Sequence, residues 1–167
     1  MAANTINSCT WYRFTLVHRP GFSLDIINDG DAHEDGKLQI APTGCYTGQH
    51  WQLIPSLSGQ YRLRTWYTGP DMYLDVRSEN DLDPHLTSEG PKIGRCWYVV
   101  LNNDGTVKLQ LQIAGQDYFL GSKYDESWSR NWRPFLSERG DPSQIWKMES
   151  VGRVNPNFDT KPHDVGW

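Results

Sequence analysis

Three tryptophans recur in the same local setting, Gln49-His50-Trp51-Gln52-Leu53, Arg95-Cys96-Trp97-Tyr98-Val99 and Gln144-Ile145-Trp146-Lys147-Met148, at intervals of 46 and 49 residues. A repeat of this kind constrains a fold strongly, because each copy is one small unit that buries its apolar face only against the others. The register extends upstream. Leu38-Gln39-Ile40-Ala41-Pro42-Thr43-Gly44 matches Pro84 to Gly90 and Pro134 to Gly140. Phe22-Ser23-Leu24-Asp25-Ile26 matches Met72-Tyr73-Leu74-Asp75-Val76 and Tyr118-Phe119-Leu120-Gly121-Ser122. The segments Tyr12 to Leu16, Tyr61 to Thr65 and Val107 to Leu111 complete the set.

Each unit therefore holds four short segments with period-2 alternation, separated by Gly, Pro, Asn or Asp, which is the pattern of strands joined by turns. No stretch has the periodicity of an amphipathic helix. The units run over about 10–55, 59–101 and 105–150, within a single all-β domain spanning 1–167 and followed by a tail at 151–167. They are too few for a propeller, so one shared core is expected with Trp51, Trp97 and Trp146 in equivalent buried places. Three buried indoles remove about 150–250 Å² each from water, a large contribution in a chain with fifteen Gly and ten Pro.

With its three Trp units and its Leu-Asp pairs, the chain resembles the ricin B-chain type β-trefoil lectins, over about residues 10–150. The resemblance implies a six-stranded barrel closed by three hairpins, with pseudo-threefold symmetry and lectin activity. Single-domain fungal fruiting-body lectins, associated with defence against grazers, are similar. A sugar site of that family uses a carboxylate, a stacking aromatic and an orienting amide. Unit one supplies Asp25 and Gln49, with Ala41 where the family has its aromatic and Gly48 where it has its amide. Unit two supplies Asp75, with His85 and Thr87 nearby, and places Gly94 and Arg95 where the family has Asn-Gln; Arg95 is expected to pair with Asp75. Unit three carries Gly121 and Ser137 and has lost the site. Gln49 and Gln144 also suit a role in fastening backbone, and a short carboxylate such as Asp25 or Asp75 also suits a turn cap.

Three further tryptophans fall outside the matched strands. Trp66 lies in the first connection of unit two, and Trp128 and Trp132 in an insert of unit three. On surface loops, all three are candidates for carbohydrate contact; folded back, they would cover the barrel. Trp11 and Trp167 have no assigned role. Glycans or glycoproteins are the expected partners, and a homodimer is an allowed assembly. The alternatives are a β-trefoil protease inhibitor, or a sugar-silent protein-binding subunit of a larger assembly.

A net charge of −4 with no Lys/Arg cluster argues against nucleic acid. No apolar run reaches membrane-spanning length and no signal-peptide core is present, so a cytoplasmic protein without membrane insertion is expected. Cys9, Cys45 and Cys96 are scattered and odd in number, which suits small buried side chains better than a disulfide framework or zinc site. The acidic loops at 29–36 and 79–83 read as solvated hairpin tips rather than calcium loops. No metal, cofactor or catalytic role is expected, since no ligand spacing, phosphate loop or nucleophile motif occurs.

Overall fold

The computed structural model describes residues 5–28, 36–88, 92–128, 132–138 and 140–159. Twelve strands follow in chain order. Unit one holds β1 (Thr10–Leu16), β2 (Phe22–Ile26), β3 (Leu38–Pro42) and β4 (Trp51–Pro55). Unit two holds β5 (Tyr61–Thr65), β6 (Tyr73–Ser78), β7 (Asp81–Thr87) and β8 (Trp97–Leu101). Unit three holds β9 (Val107–Ile113), β10 (Gln116–Tyr124), β11 (Trp132–Ser137) and β12 (Trp146–Arg153). Alternation sets the faces: in β9, Val107, Leu109, Leu111 and Ile113 are buried, while Lys108, Gln110 and Gln112 are partly or fully exposed.

The first and last strands of each unit close a ring of antiparallel pairs, β1 with β4, β4 with β5, β5 with β8, β8 with β9, β9 with β12 and β12 with β1. The middle strands pair as hairpins, β2 with β3, β6 with β7 and β10 with β11. A closed ring removes the exposed sheet edges, and the hairpins cap one end of it. This is the β-trefoil that the repeat implies.

The motif tryptophans occupy equivalent places. Trp51, Trp97 and Trp146 are fully buried, and their indole N–H groups donate to the carbonyls of Leu24, Leu74 and Leu120 at 3.1, 3.4 and 2.9 Å. Each tryptophan thus ties the last strand of its unit to the hairpin strand bearing the Leu-Asp or Leu-Gly pair. The Gln-x-Trp glutamines fasten backbone as expected: Gln49 Nε2 donates to the Pro42 carbonyl and Gln144 Nε2 to the Ser137 carbonyl.

Several expectations need correction. Cys9 and Cys45 are exposed and Cys96 is half-buried, because each falls outside the strands rather than on an inward strand position. Of the tail, whose role the sequence leaves open, the described residues 151–159 dock on the barrel through Phe158 and Val154, which pack with Trp11. Trp132 opens strand β11 opposite Tyr124 rather than standing in a loop, and it packs against the core. Residues 29–35 and Trp167 lie outside the described residues.

Candidate functional site

Asp25 lies on β2 opposite Gln39 of β3. Its side chain comes against the turn at Thr47–Gln49, where a Cβ on Gly48 would stand 2.4 Å from Asp25 Oδ1. Gly48 therefore admits the carboxylate, and any larger residue would displace it. Asp25 Oδ1 accepts the Ile26 N–H at 2.7 Å, and Oδ2 accepts Gln49 Nε2 at 3.2 Å and Gln39 Nε2 at 3.4 Å. A carboxylate offers about four acceptor positions, so capacity remains after these three contacts.

Above Asp25 opens a cavity of about 370 Å³ lined by Gln39, Ala41, Thr47 and Gly48 together with Asn28, Tyr46 and Tyr67. Tyr46, 62% exposed, lines this cavity together with Asp25. Tyr67 belongs to unit two, and its hydroxyl donates to Asn28 Oδ1 at 2.7 Å, closing the wall across the unit boundary. Burial pushes the Asp25 carboxyl above the usual carboxylate range, an effect partly offset by the hydrogen bonds from Gln49, Ile26 and Gln39.

The sign of that shift gives a paired expectation. Folded protein takes up a proton on Asp25 at higher pH than the unfolded chain, so the stability gained there is full below the ordinary value of 3.8 and is lost as pH rises through the raised pKa. Ligand binding that uses the carboxylate as acceptor runs the other way and weakens as pH falls through the same raised value. Affinity measured across the acid range should show a midpoint above 3.8 that vanishes in Asp25→Asn. An unchanged midpoint in the variant would assign the titration elsewhere.

Asp75 shares the Leu-Asp setting and has the opposite fate. It is 0% exposed, and all its acceptor positions are taken: Val76 N–H at 2.7 Å and Gly94 N–H at 2.9 Å on Oδ1, Lys92 N–H at 3.1 Å and Arg95 Nε at 3.3 Å on Oδ2. The expectation of sugar contact at Asp75 is corrected on that ground, and its pairing with Arg95 is present. In unit three a Cβ on Gly121 would lie 2.8 Å from the Ser143 carbonyl, so the backbone fills the volume of the missing carboxylate.

The remaining predicted residues are dispersed. His85, half-buried on β7, stands in register with Asp75, and its Nδ1 donates to the Asp83 carbonyl at 3.3 Å. Trp66 stacks in parallel on Trp11 at 5.7 Å and packs in a second small core, so it supports the neighbouring Tyr67 rather than facing the cavity. Trp132 lies under the Arg19 guanidinium, 4.3 Å from its ring centre, and Arg19 also covers Phe22 at 3.8 Å. Trp128 lines a separate cavity of about 180 Å³ with Lys37, Leu38, Asp83, Pro84, Arg133 and Pro134. Of the predicted set, Asp25 lines the larger cleft and Gln49 bonds its carboxylate. Asn28, Gln39, Tyr46 and Tyr67 also line that cleft without having been singled out; for Tyr46 the one sequence signal is an aromatic between Gly44 and Gly48, just before Gln49.

No protein-family model matches the chain, and no curated protein does. Solved structures do. A designed threefold-symmetric protein, ThreeFoil, is 22% identical with a TM-score of 0.66, covering 84% of this chain and 99% of its own. The Macrolepiota procera ricin B-like lectin MPL, solved in complex with lactose, is 14% identical with a TM-score of 0.59, covering 87% and 99%. SeviL, solved bound to the asialo-GM1 saccharide, is 15% identical with a TM-score of 0.56, covering 84% and 94%. At these identities the likeness establishes the fold.

Proposed function

We propose that this chain is a carbohydrate-binding protein that uses one principal site, the Asp25 cleft of unit one. The observation that carries this reading is the contrast within the repeat: Asp25 borders an open cavity with an exposed tyrosine beside it, Asp75 is sealed, and unit three has no carboxylate at the equivalent place. A sugar ring has an apolar face and a polar rim. Tyr46 suits the face, while Asp25, Gln39 and Asn28 supply the acceptors and donors that fix hydroxyl orientation. The volume, about 370 Å³, falls within the span of roughly 300–1,000 Å³ common to small-ligand sites. The lactose and asialo-GM1 complexes of the neighbours MPL and SeviL support the same ligand class.

A glycan array on the wild-type protein, followed by titration of Asp25→Ala and Tyr46→Ala, tests the reading. Asp25→Ala is expected to preserve the fold, because Gln49 keeps the Pro42 carbonyl and Gln39 keeps the Ile26 carbonyl as partners. Its affinity should fall about ten- to a hundredfold, the effect of losing hydrogen bonds to a charged acceptor at about 1.5–3 kcal/mol. Tyr46→Ala should weaken binding about tenfold through loss of the stacking face. Undiminished affinity in Asp25→Ala would remove the cleft from consideration.

A further inference from the structure

The two tyrosines of the cleft are held from behind by residues far away in sequence. Trp66 N–H donates to the His50 carbonyl at 3.1 Å, and Tyr67 N–H to the Thr47 carbonyl at 3.3 Å, which fixes the Tyr67 backbone to the turn beneath the cleft. His50 Nδ1 donates to the Tyr46 carbonyl at 2.7 Å. The His50 ring meets Trp66 edge-on at 5.6 Å and Trp11 at 6.4 Å, and the two indoles are parallel within 8°. Behind this stack lies the chain after β12. Phe158, 1% exposed, meets Trp11 edge-on at 5.1 Å.

That segment is anchored at both ends. Val154 N–H donates to the Cys9 carbonyl at 2.8 Å, and Asp159 pairs with Arg64 Nη2 at 2.7 Å. Arg64 is itself buried, covers Phe158 at 5.1 Å, and is fixed by Gln52 at 2.7 Å and the Pro70 carbonyl at 2.9 Å. Phe158 therefore packs on Trp11 at one end of the ring stack, whose other end is Trp66, next to Tyr67.

We propose that residues 154–159 are a clasp that holds the Trp11–Trp66 stack and so sets the positions of Tyr46 and Tyr67, making Phe158 a positioning residue for the Asp25 cleft. From Phe158 the ring contacts run through Trp11 to Trp66 and His50, and from those the backbone and ring bonds reach the two tyrosines. The inference rests on the carbohydrate reading only for its consequence in affinity. If release of the clasp lowers the population of the assembled wall to about a tenth, apparent affinity falls about tenfold.

The test uses the full chain labelled with 3-fluorotyrosine, with resonances assigned through Tyr46→Phe and Tyr67→Phe. Phe158→Ala is compared with Phe158→Leu, which refills most of the volume, and with Asp159→Asn, which loosens the anchor without opening a cavity. The expected result is movement of the Tyr46 and Tyr67 resonances in Phe158→Ala, with Tyr98 and Tyr118 unmoved, and partial restoration in Phe158→Leu. Binding of lactose or the asialo-GM1 saccharide should weaken about tenfold in parallel. A fall in melting temperature with both tyrosine resonances unmoved overturns the clasp and leaves Phe158 a packing residue. Wild-type protein that binds no glycan while the tyrosine resonances still follow Phe158 overturns the carbohydrate reading and supports the clasp.

Discussion

Trp146→Ala is expected to lower stability by about 3–5 kcal/mol, the usual cost of truncating a buried tryptophan. The indole is fully buried in the core shared by the three units, and its N–H donates to the Leu120 carbonyl at 2.9 Å. Truncation opens a cavity where β12 meets β9 and leaves that buried carbonyl without its donor. In a chain of this length the loss should appear as a fall in Tm of roughly 10 °C. Unit three carries no carboxylate at its Leu-Gly pair, so glycan affinity measured well below the new Tm should be unchanged. Trp146 separates the architectural role of the repeat from any binding role more cleanly than Trp51, whose indole holds Leu24, the neighbour of Asp25. A loss below about 1 kcal/mol in denaturant titration would mean that the barrel collapses around the gap at little cost, contrary to the close packing of protein interiors.

Asp75→Ala should be nearly as damaging, for a different reason. Removing one member of a buried ion pair typically costs about 3–5 kcal/mol, because the remaining charge has lost its partner in a medium that solvates it poorly. Here the Arg95 guanidinium loses its carboxylate partner, and the amides of Val76, Lys92 and Gly94 lose their acceptor together. Asp75→Asn should cost less, since one oxygen survives to accept. Urea titration of both variants, with the double variant Asp75→Ala/Arg95→Met to remove the buried cation as well, measures the coupling. Recovery of part of the loss in the double variant is the expected sign. If Asp75→Ala instead weakened glycan binding with stability intact, the one-site reading would be wrong.

Asp25 and Asp75 follow leucine in matched strands, yet one borders a cleft and the other is a structural anchor. Much of the difference comes from what faces each carboxylate. In unit one Gln49 is neutral, bonds Pro42 as well as Asp25, and leaves the carboxylate acceptor capacity. In unit two Arg95 and the amides of Lys92 and Gly94 use all of it. The Arg95 substitution was visible in the sequence and its pairing was foreseeable from charge. The convergence of two backbone amides on the same carboxylate was not, because it depends on the path of the 92–94 turn.

The tryptophans divide in the same way. Trp51, Trp97 and Trp146 were readable as core because they recur in register. Trp66 and Trp132 lie outside the matched sequence segments, and their surroundings come from residues that the repeat does not align: Trp11 and the chain after β12 for Trp66, Arg19 and Tyr124 for Trp132. Sequence spacing carries no information about such contacts.

By itself, then, the sequence determined the threefold architecture, since strand alternation and the recurring Trp and Leu-Asp pairs are local patterns, and closing the barrel is how three such units bury their apolar faces together. It also determined which units retain a carboxylate. The tertiary structure alone decided which carboxylate remains accessible, that Tyr46 and Tyr67 supply the aromatic wall that Ala41 does not, and that the last residues pack behind that wall. Those outcomes depend on solvent exclusion and on contacts between units, and both exist only once the ring of strands has closed.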